Sequence, residues 1–281
     1  MKLIKGLLII ALLLTIAVTF YSRTPGEEMN EAGPIINSSL DPLTVSCDYT
    51  KEDLLKGLTA YDAEDGDITD RIIPGSFSLF KEKGVSEIDY YVYDSDNNCG
   101  RIKRDVVFSD YYSPKIGLSS PLVFYTKAAS DRVVMNSLYG NDCLDGDVKH
   151  IKVNSSTIDY ETAGTYTISV SLINCFGDIA TYDLPVHIIT REFSGLEIRL
   201  TENLIYLKTG SEFNPEDFVK EVELSHTEKL MPQKDWGIKI KTDVDTSTPG
   251  VYEVRYRIRK ENNAVYGNVS GTTWLTVIVE D

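Results

Sequence analysis

The stretch "YDAEDGDIT", Tyr61 to Thr69, returns as "NDCLDGDVK", Asn141 to Lys149. Asp62 falls on Asp142, Asp65 on Asp145, Gly66 on Gly146 and Asp67 on Asp147, each 80 residues further on. The same offset carries Gly84 to Gly164, Asp94 to Asn174 and Asn98 to Asp178. An ungapped offset of that reach marks two copies of one unit. A third, more distant copy follows. "DTSTPGVYEVRYRI", from Asp245 to Ile258, repeats the pattern of "ETAGTYTISVSL", with Gly250 lying 86 residues after Gly164. The longer interval means insertions. Near "LMPQKD", where the acidic motif belongs, it is missing.

Inside each copy the period is two. Tyr166, Ile168, Val170 and Leu172 alternate with Thr and Ser, and Tyr252, Val254, Tyr256 and Ile258 with Glu and Arg. That alternation predicts half-buried strands. The 17 tyrosines, with recurring Thr, Val and Ile, fit the same class. Only "NPEDFVKEV", Asn214 to Val222, suggests a short turn of helix. Units of this length built from several short strands predict β-sandwiches.

Charge and the N-terminus bound the setting. The 281-residue chain carries a formal net charge of −15, and no acid precedes Arg23, so the remainder is more acidic still. Such a field opposes nucleic acid as a partner. "MKLIK" followed by the uncharged apolar run Gly6 to Phe20 reads as an export signal. Bulky Phe20 and Tyr21 stand where a cleavage site needs small residues. The expectation is therefore an uncleaved anchor crossing the bilayer through residues 4–21. Lys2 and Lys5 would keep the N-terminus in the cytoplasm and place the rest outside. "TPGEEMNEAGPIINSS" reads as a spacer. The expected organisation is an anchor over 1–23, a spacer over 24–40, and sandwiches over 41–110, 111–190 and 191–281.

Few residues suggest chemistry. Asp65 and Asp67 could serve as an acid–base pair, but turn residues repeated in a second copy explain them better. His150, His187 and His226 fit no zinc spacing, and the chain has neither a Gly-x-Ser-x-Gly elbow nor a phosphate loop. The expectation is a protein without enzymatic activity. Four cysteines in an exported chain can pair in three ways, and sequence alone does not choose.

"LTAYDAEDGDIT", "KGVSEIDYYVYDSDNN" and "AGTYTISVSLINCFGD" resemble the tandem immunoglobulin-like domains of Gram-positive surface proteins, a module type also found in an insecticidal crystal toxin. The first copy departs from the family pattern in having Val85-Ser86 after Gly84 and Asn97 for the late glycine, and the second has Cys143 and Asn174 at pattern positions. The resemblance implies an all-β fold of tandem immunoglobulin-like sandwiches behind a transmembrane helix. It places the Asp-Gly-Asp just after the second strand, at the end of the sandwich that also holds the turn between the last two strands. Asp62, Asp65, Asp67, Asp94 and Asp96 would gather there, either as turn formers or as ligands of calcium, a hard cation that prefers oxygen. It implies a disulfide Cys143–Cys175 and, less directly, Cys47–Cys99. As a function it implies presenting or spacing a surface toward an extracellular protein or polysaccharide. The alternative is an accessory or sensor subunit docking a cell-envelope enzyme or polysaccharide.

Overall fold

The computed structural model describes residues 33–148, 150–225 and 229–281. The expected anchor, most of the expected spacer and His226 lie outside the described residues. None of the helices among the described residues is long and apolar enough to cross a membrane.

One element order occurs three times. The first copy runs β1 (Ile35–Ser38), β2 (Leu43–Val45), α1 (Lys51–Leu55), β3 (Leu58–Asp62), β4 (Gly66–Asp67), β5 (Ile73–Phe77), β6 (Val85–Tyr93) and β7 (Cys99–Phe108). The second runs β8 (Lys115–Leu118), β9 (Val123–Tyr125), α2 (Asp131–Asn136), β10 (Leu138–Asp142), β11 (Gly146–Val148), β12 (Ile151–Ser156), β13 (Gly164–Ile173) and β14 (Ile179–Ile189). The third runs β15 (Ser194–Leu200), β16 (Leu204–Lys208), a 3-10 turn (Pro215–Phe218), β17 (Val219–Leu224), β18 (Lys229–Leu230), β19 (Lys239–Thr242), β20 (Gly250–Asn263) and β21 (Gly267–Glu280). The helical turn expected after Asn214 exists, capped by the Asn214 side chain, but the chain is strand again from Val219. Ile35–Ser38, counted with the spacer on composition, is a strand paired antiparallel with β3. The short helices α1 and α2 were not anticipated, because five or six residues are too few to show a period. Each buries a single aliphatic side chain, Leu54 or Val134.

Backbone contacts divide the chain into two compact units. The first holds the described residues up to Leu43 with 51–76 and 88–105. The second holds 44–50, 77–87 and 106–281. In the first unit Ile36, Leu58, Ala60, Ile88, Tyr90 and Val92 are buried. In the second unit, the sheets β11-β10-β8 and β12-β13-β14-β9 enclose Ile116, Leu118, Val134, Ile168, Val170, Leu172, Leu184 and Val186. The larger sheet β18-β17-β15-β21-β20-β19, with β16 also on β21, surrounds Ile198, Val222, Val254, Tyr256, Ile258, Leu275 and Val277.

The Gly-x-Tyr pattern has a physical cause. Tyr166 folds back so that its hydroxyl donates to the Thr162 carbonyl at 2.9 Å, and Tyr252 does the same to Thr248 at 2.9 Å. In both cases a side chain at the glycine two residues earlier would press on the tyrosine ring at 3.3 Å. This is the tyrosine corner known from immunoglobulin-like sandwiches. In the first copy Gly84 is covered by Tyr111 instead, and Ser86 is buried without a ring.

The second and third sandwiches share packing within the second unit. β16 runs parallel to β21, and its Leu204, with Ile278 of β21, belongs to the second sandwich's core. Tyr206 Oη donates to the Ile116 carbonyl at 2.9 Å, and Lys115 pairs with Glu280 at 2.6 Å.

Candidate functional site

The acidic motif follows β3 and opens β4, one strand later than the resemblance implied. Asp62 Oδ1 accepts the amides of Glu64 and Asp65 at 2.9 and 3.0 Å, and Asp142 Oδ1 those of Leu144 and Asp145 at 2.9 and 3.1 Å. Gly66 and Gly146 have φ of 75° and 66°, with nothing within 4 Å of an added Cβ. Glycine is needed there for its dihedral freedom and not for space. Asp65 then reaches the turn between β6 and β7. Its carboxylate accepts the Ser95 amide at 2.8 Å and hydroxyl at 2.9 Å, and pairs with Arg71 at 2.7 Å. Those bonds hold its carboxyl below the usual carboxylate range. Asp67 is lowered likewise by Thr69, whose amide it accepts at 3.0 Å.

The receiving turn is closed by Asp94 Oδ1, which accepts the Asp96 and Asn98 amides at 2.9 and 2.8 Å. Asn97 takes φ of 65° there, as Gly177 takes 83° in the second copy. Asparagine is one of the few residues that tolerates this region, so it stands in for the missing glycine. The structure thus brings Asp65 against the Asp94–Asn98 turn, while Asp62, Asp67 and Asp94 close turns of their own. Among the described residues no group of three or more His, Cys, Asp or Glu is arranged to hold a metal ion.

The cysteine pairing differs from the expectation. Cys47 bonds to Cys143, with Cα atoms 5.7 Å apart, while Cys99 and Cys175 are free. Cys175 occupies the place of Ser95. Its amide donates to Asp145 at 2.7 Å and its thiol to the same carboxylate at 2.6 Å. Burial and the Asp145 charge push this thiol up to about 12, so it stays protonated as a donor. Cys47 is held within the second unit, its amide on Asp110 at 2.7 Å. Nearby rings from both copies pack there, with Phe80 4.8 Å from Phe176 and from Tyr111. A bond between copies breaks the 80-residue pattern, so the repeat could not reveal it.

At the junction of the second and third sandwiches lies His187. Its ring stacks on Trp274 at 3.9 Å and 11°. Nε2 meets Glu253 Oε1 at 2.6 Å, and Nδ1 meets Thr165 Oγ1 at 3.1 Å. Glu253 accepts from Nε2–H, and Nδ1 shares a hydrogen bond with the Thr165 hydroxyl. Two clefts flank Trp274. One of about 240 Å³ is bounded by Thr165, Lys241, Asp243 and Arg255, the other of about 220 Å³ by Tyr125, Arg255, Arg257 and Thr272. A third, of about 530 Å³, opens between Ser119–Tyr125 and the β15 residues.

The class that the described sheets define is a module of β-sandwiches. No protein-family model matches the sequence. The chain is 28% identical over 210 residues to the pesticidal crystal protein Cry22Aa of Bacillus thuringiensis, covering 72% of this chain and 27% of that protein. It is 30% identical over 135 residues to an uncharacterized 81.3 kDa protein of Acholeplasma phage L2, covering 46% of this chain and 18% of that one. The chain therefore spans about a quarter or less of the curated relatives it matches. Among solved structures, CBM51-2 and INT domains of Clostridium perfringens ZmpB, in complex with GlcNAc, align at 22% identity. They cover 53% of this chain and 26% of theirs with a TM-score of 0.23. The protocadherin GammaB4 extracellular domain aligns at 10% identity over 90% of this chain and 50% of its own, also with a TM-score of 0.23. Scores that low fall short of a shared fold, and nothing about binding follows from them.

Proposed function

We propose that this chain is a non-enzymatic, membrane-anchored extracellular module whose sandwiches hold a binding surface at a fixed distance and orientation. The observation that carries this reading is the packing of Leu204 and Ile278 into the second sandwich's core. A junction built from core side chains, a strand pairing and the Lys115–Glu280 ion pair resists bending. Loose linkers, by contrast, let domains move independently. The disulfide supports an oxidising compartment, and the apolar N-terminal run supports anchoring. Spin labels at exposed Lys152 and Lys234, read by pulsed electron resonance, test it. A single narrow distance distribution is expected. A broad or multimodal one would show independent sandwiches and sink the reading.

A further inference from the structure

The outer face of the third sandwich concentrates positive charge in a strongly acidic protein. Lys239 stands opposite Arg257, and Lys241 opposite Arg255, on the paired strands β19 and β20. Arg255 in turn stands opposite Trp274, Arg257 opposite Thr272, and Arg259 opposite Ser270. Directly paired residues share one face of a sheet. The alternate residues Val254, Tyr256 and Ile258 are buried, so these cations point away from the core. Like charges directly opposite each other destabilise a sheet. The chain's own acids relieve only part of this. Glu192 pairs with Arg257 and Arg259, Glu261 also pairs with Arg259, and Glu253 is turned to His187. Lys239, Lys241 and Arg255 are exposed and have no ion-pair partner among the described residues.

We infer that this face is a binding site for an anionic glycan, a saccharide chain bearing carboxylate or phosphodiester groups. Alternate residues along β20 repeat at about 7 Å, so the cations suit charges spaced along a chain. The two clefts on either side of Trp274 carry Lys241, Arg255 and Arg257 with the hydroxyls of Thr165 and Thr272, and their carboxylates are engaged, Glu192 by Arg257, Glu253 by His187 and Asp243 by the Glu253 amide. A net charge of −15 opposes a dense polyanion such as nucleic acid. A saccharide with sparse charge and many hydroxyls meets both the cations and the hydroxyl rim. The site rests on the reading of the chain as a binding module. It is independent of rigidity: a rigid chain that binds no glycan refutes the site alone, and a bending chain that binds refutes fixed presentation alone.

Binding of the full chain to polygalacturonate, glycerol-phosphate teichoic acid, neutral dextran and poly-L-glutamate tests the inference. At least one anionic glycan should bind, weakening with added salt, while dextran should not. The two glycans distinguish carboxylate from phosphodiester. The variant K239Q/K241Q/R255Q should weaken that binding at least tenfold, with its unfolding midpoint unchanged or raised because repulsion is relieved. The single exposed change Lys241→Glu should weaken it as well, which guards against a triple variant that does not fold. Absence of glycan binding, or binding indifferent to both variants, overturns the inference. Poly-L-glutamate binding as tightly as the glycans also overturns it, in favour of an acidic protein segment.

Discussion

Arg104 is the largest fully buried side chain among the described residues. Its guanidinium donates to the Lys56 carbonyl at 2.7 Å, to Tyr90 Oη at 2.7 Å and to the Leu54 carbonyl, closing the end of α1. Its Nε is buried without a partner. In the second copy the same position is Leu184, wholly apolar and equally buried. Arg104→Met should therefore cost about 2–4 kcal/mol, because the Lys56 carbonyl loses its donor and the Leu54 carbonyl keeps only the Tyr90 hydroxyl. Leu184→Met should cost under about 1.5 kcal/mol. Urea denaturation measures both, and equal small costs would mean that water replaces the guanidinium. A second contrast concerns the free thiols. Both free thiols are exposed, but burial and the Asp145 bond hold Cys175 near 12, so its thiolate is scarce at pH 8. Iodoacetamide should modify Cys99 about tenfold faster or more, and Cys175 should catch up only as the pH climbs toward 12. Peptide mass mapping over time checks this, and equal rates at pH 8 would contradict the Asp145 bond. Neither residue's role was legible in the sequence. Arg104 sits in the inward phase of a strand where the pattern calls for an apolar side chain, and Cys175 acts as a serine would.

At the scale of elements, the acidic turn works as a fastener between two loops. Asp65 to Ser95 and Asp145 to Cys175 are the same crosslink at an 80-residue offset, made from different donors. Asp65→Ala should cost about 1–3 kcal/mol, through the unpaired Ser95 donors and the loosened turn. The cost should be the same with calcium as with EDTA, since Ser95 and Arg71 already occupy the oxygens. Chemical denaturation in both buffers decides it. A larger loss in calcium would restore the metal reading, because a ligand of the native state adds stability by mass action. Here the sequence was informative. The repeat and the resemblance together put both loops at one end, and the alternation marked β13 and β20 correctly. The motif lies one strand later than the resemblance implied, because two short strands, β1 and β2, precede β3 here.

At the scale of the molecule, two features decide behaviour, and neither follows a repeat. The Cys47–Cys143 bond crosses from one copy to the next, and Leu204 of the third copy lies in the core of the second. Contacts between copies leave no period in the sequence, because each is made once. These contacts predict that the second and third sandwiches are one cooperative body. Scanning calorimetry of the parent chain and of Leu204→Ala tests it most directly. Leu204 is 9% exposed, and its truncation should cost about 2–3 kcal/mol. For a body of about 170 residues that lowers the midpoint by roughly 4–12 °C. The account predicts that both sandwiches melt in a single transition and that Leu204→Ala moves that whole transition down. Two separate transitions in the parent, with Leu204→Ala displacing only one of them, would contradict it.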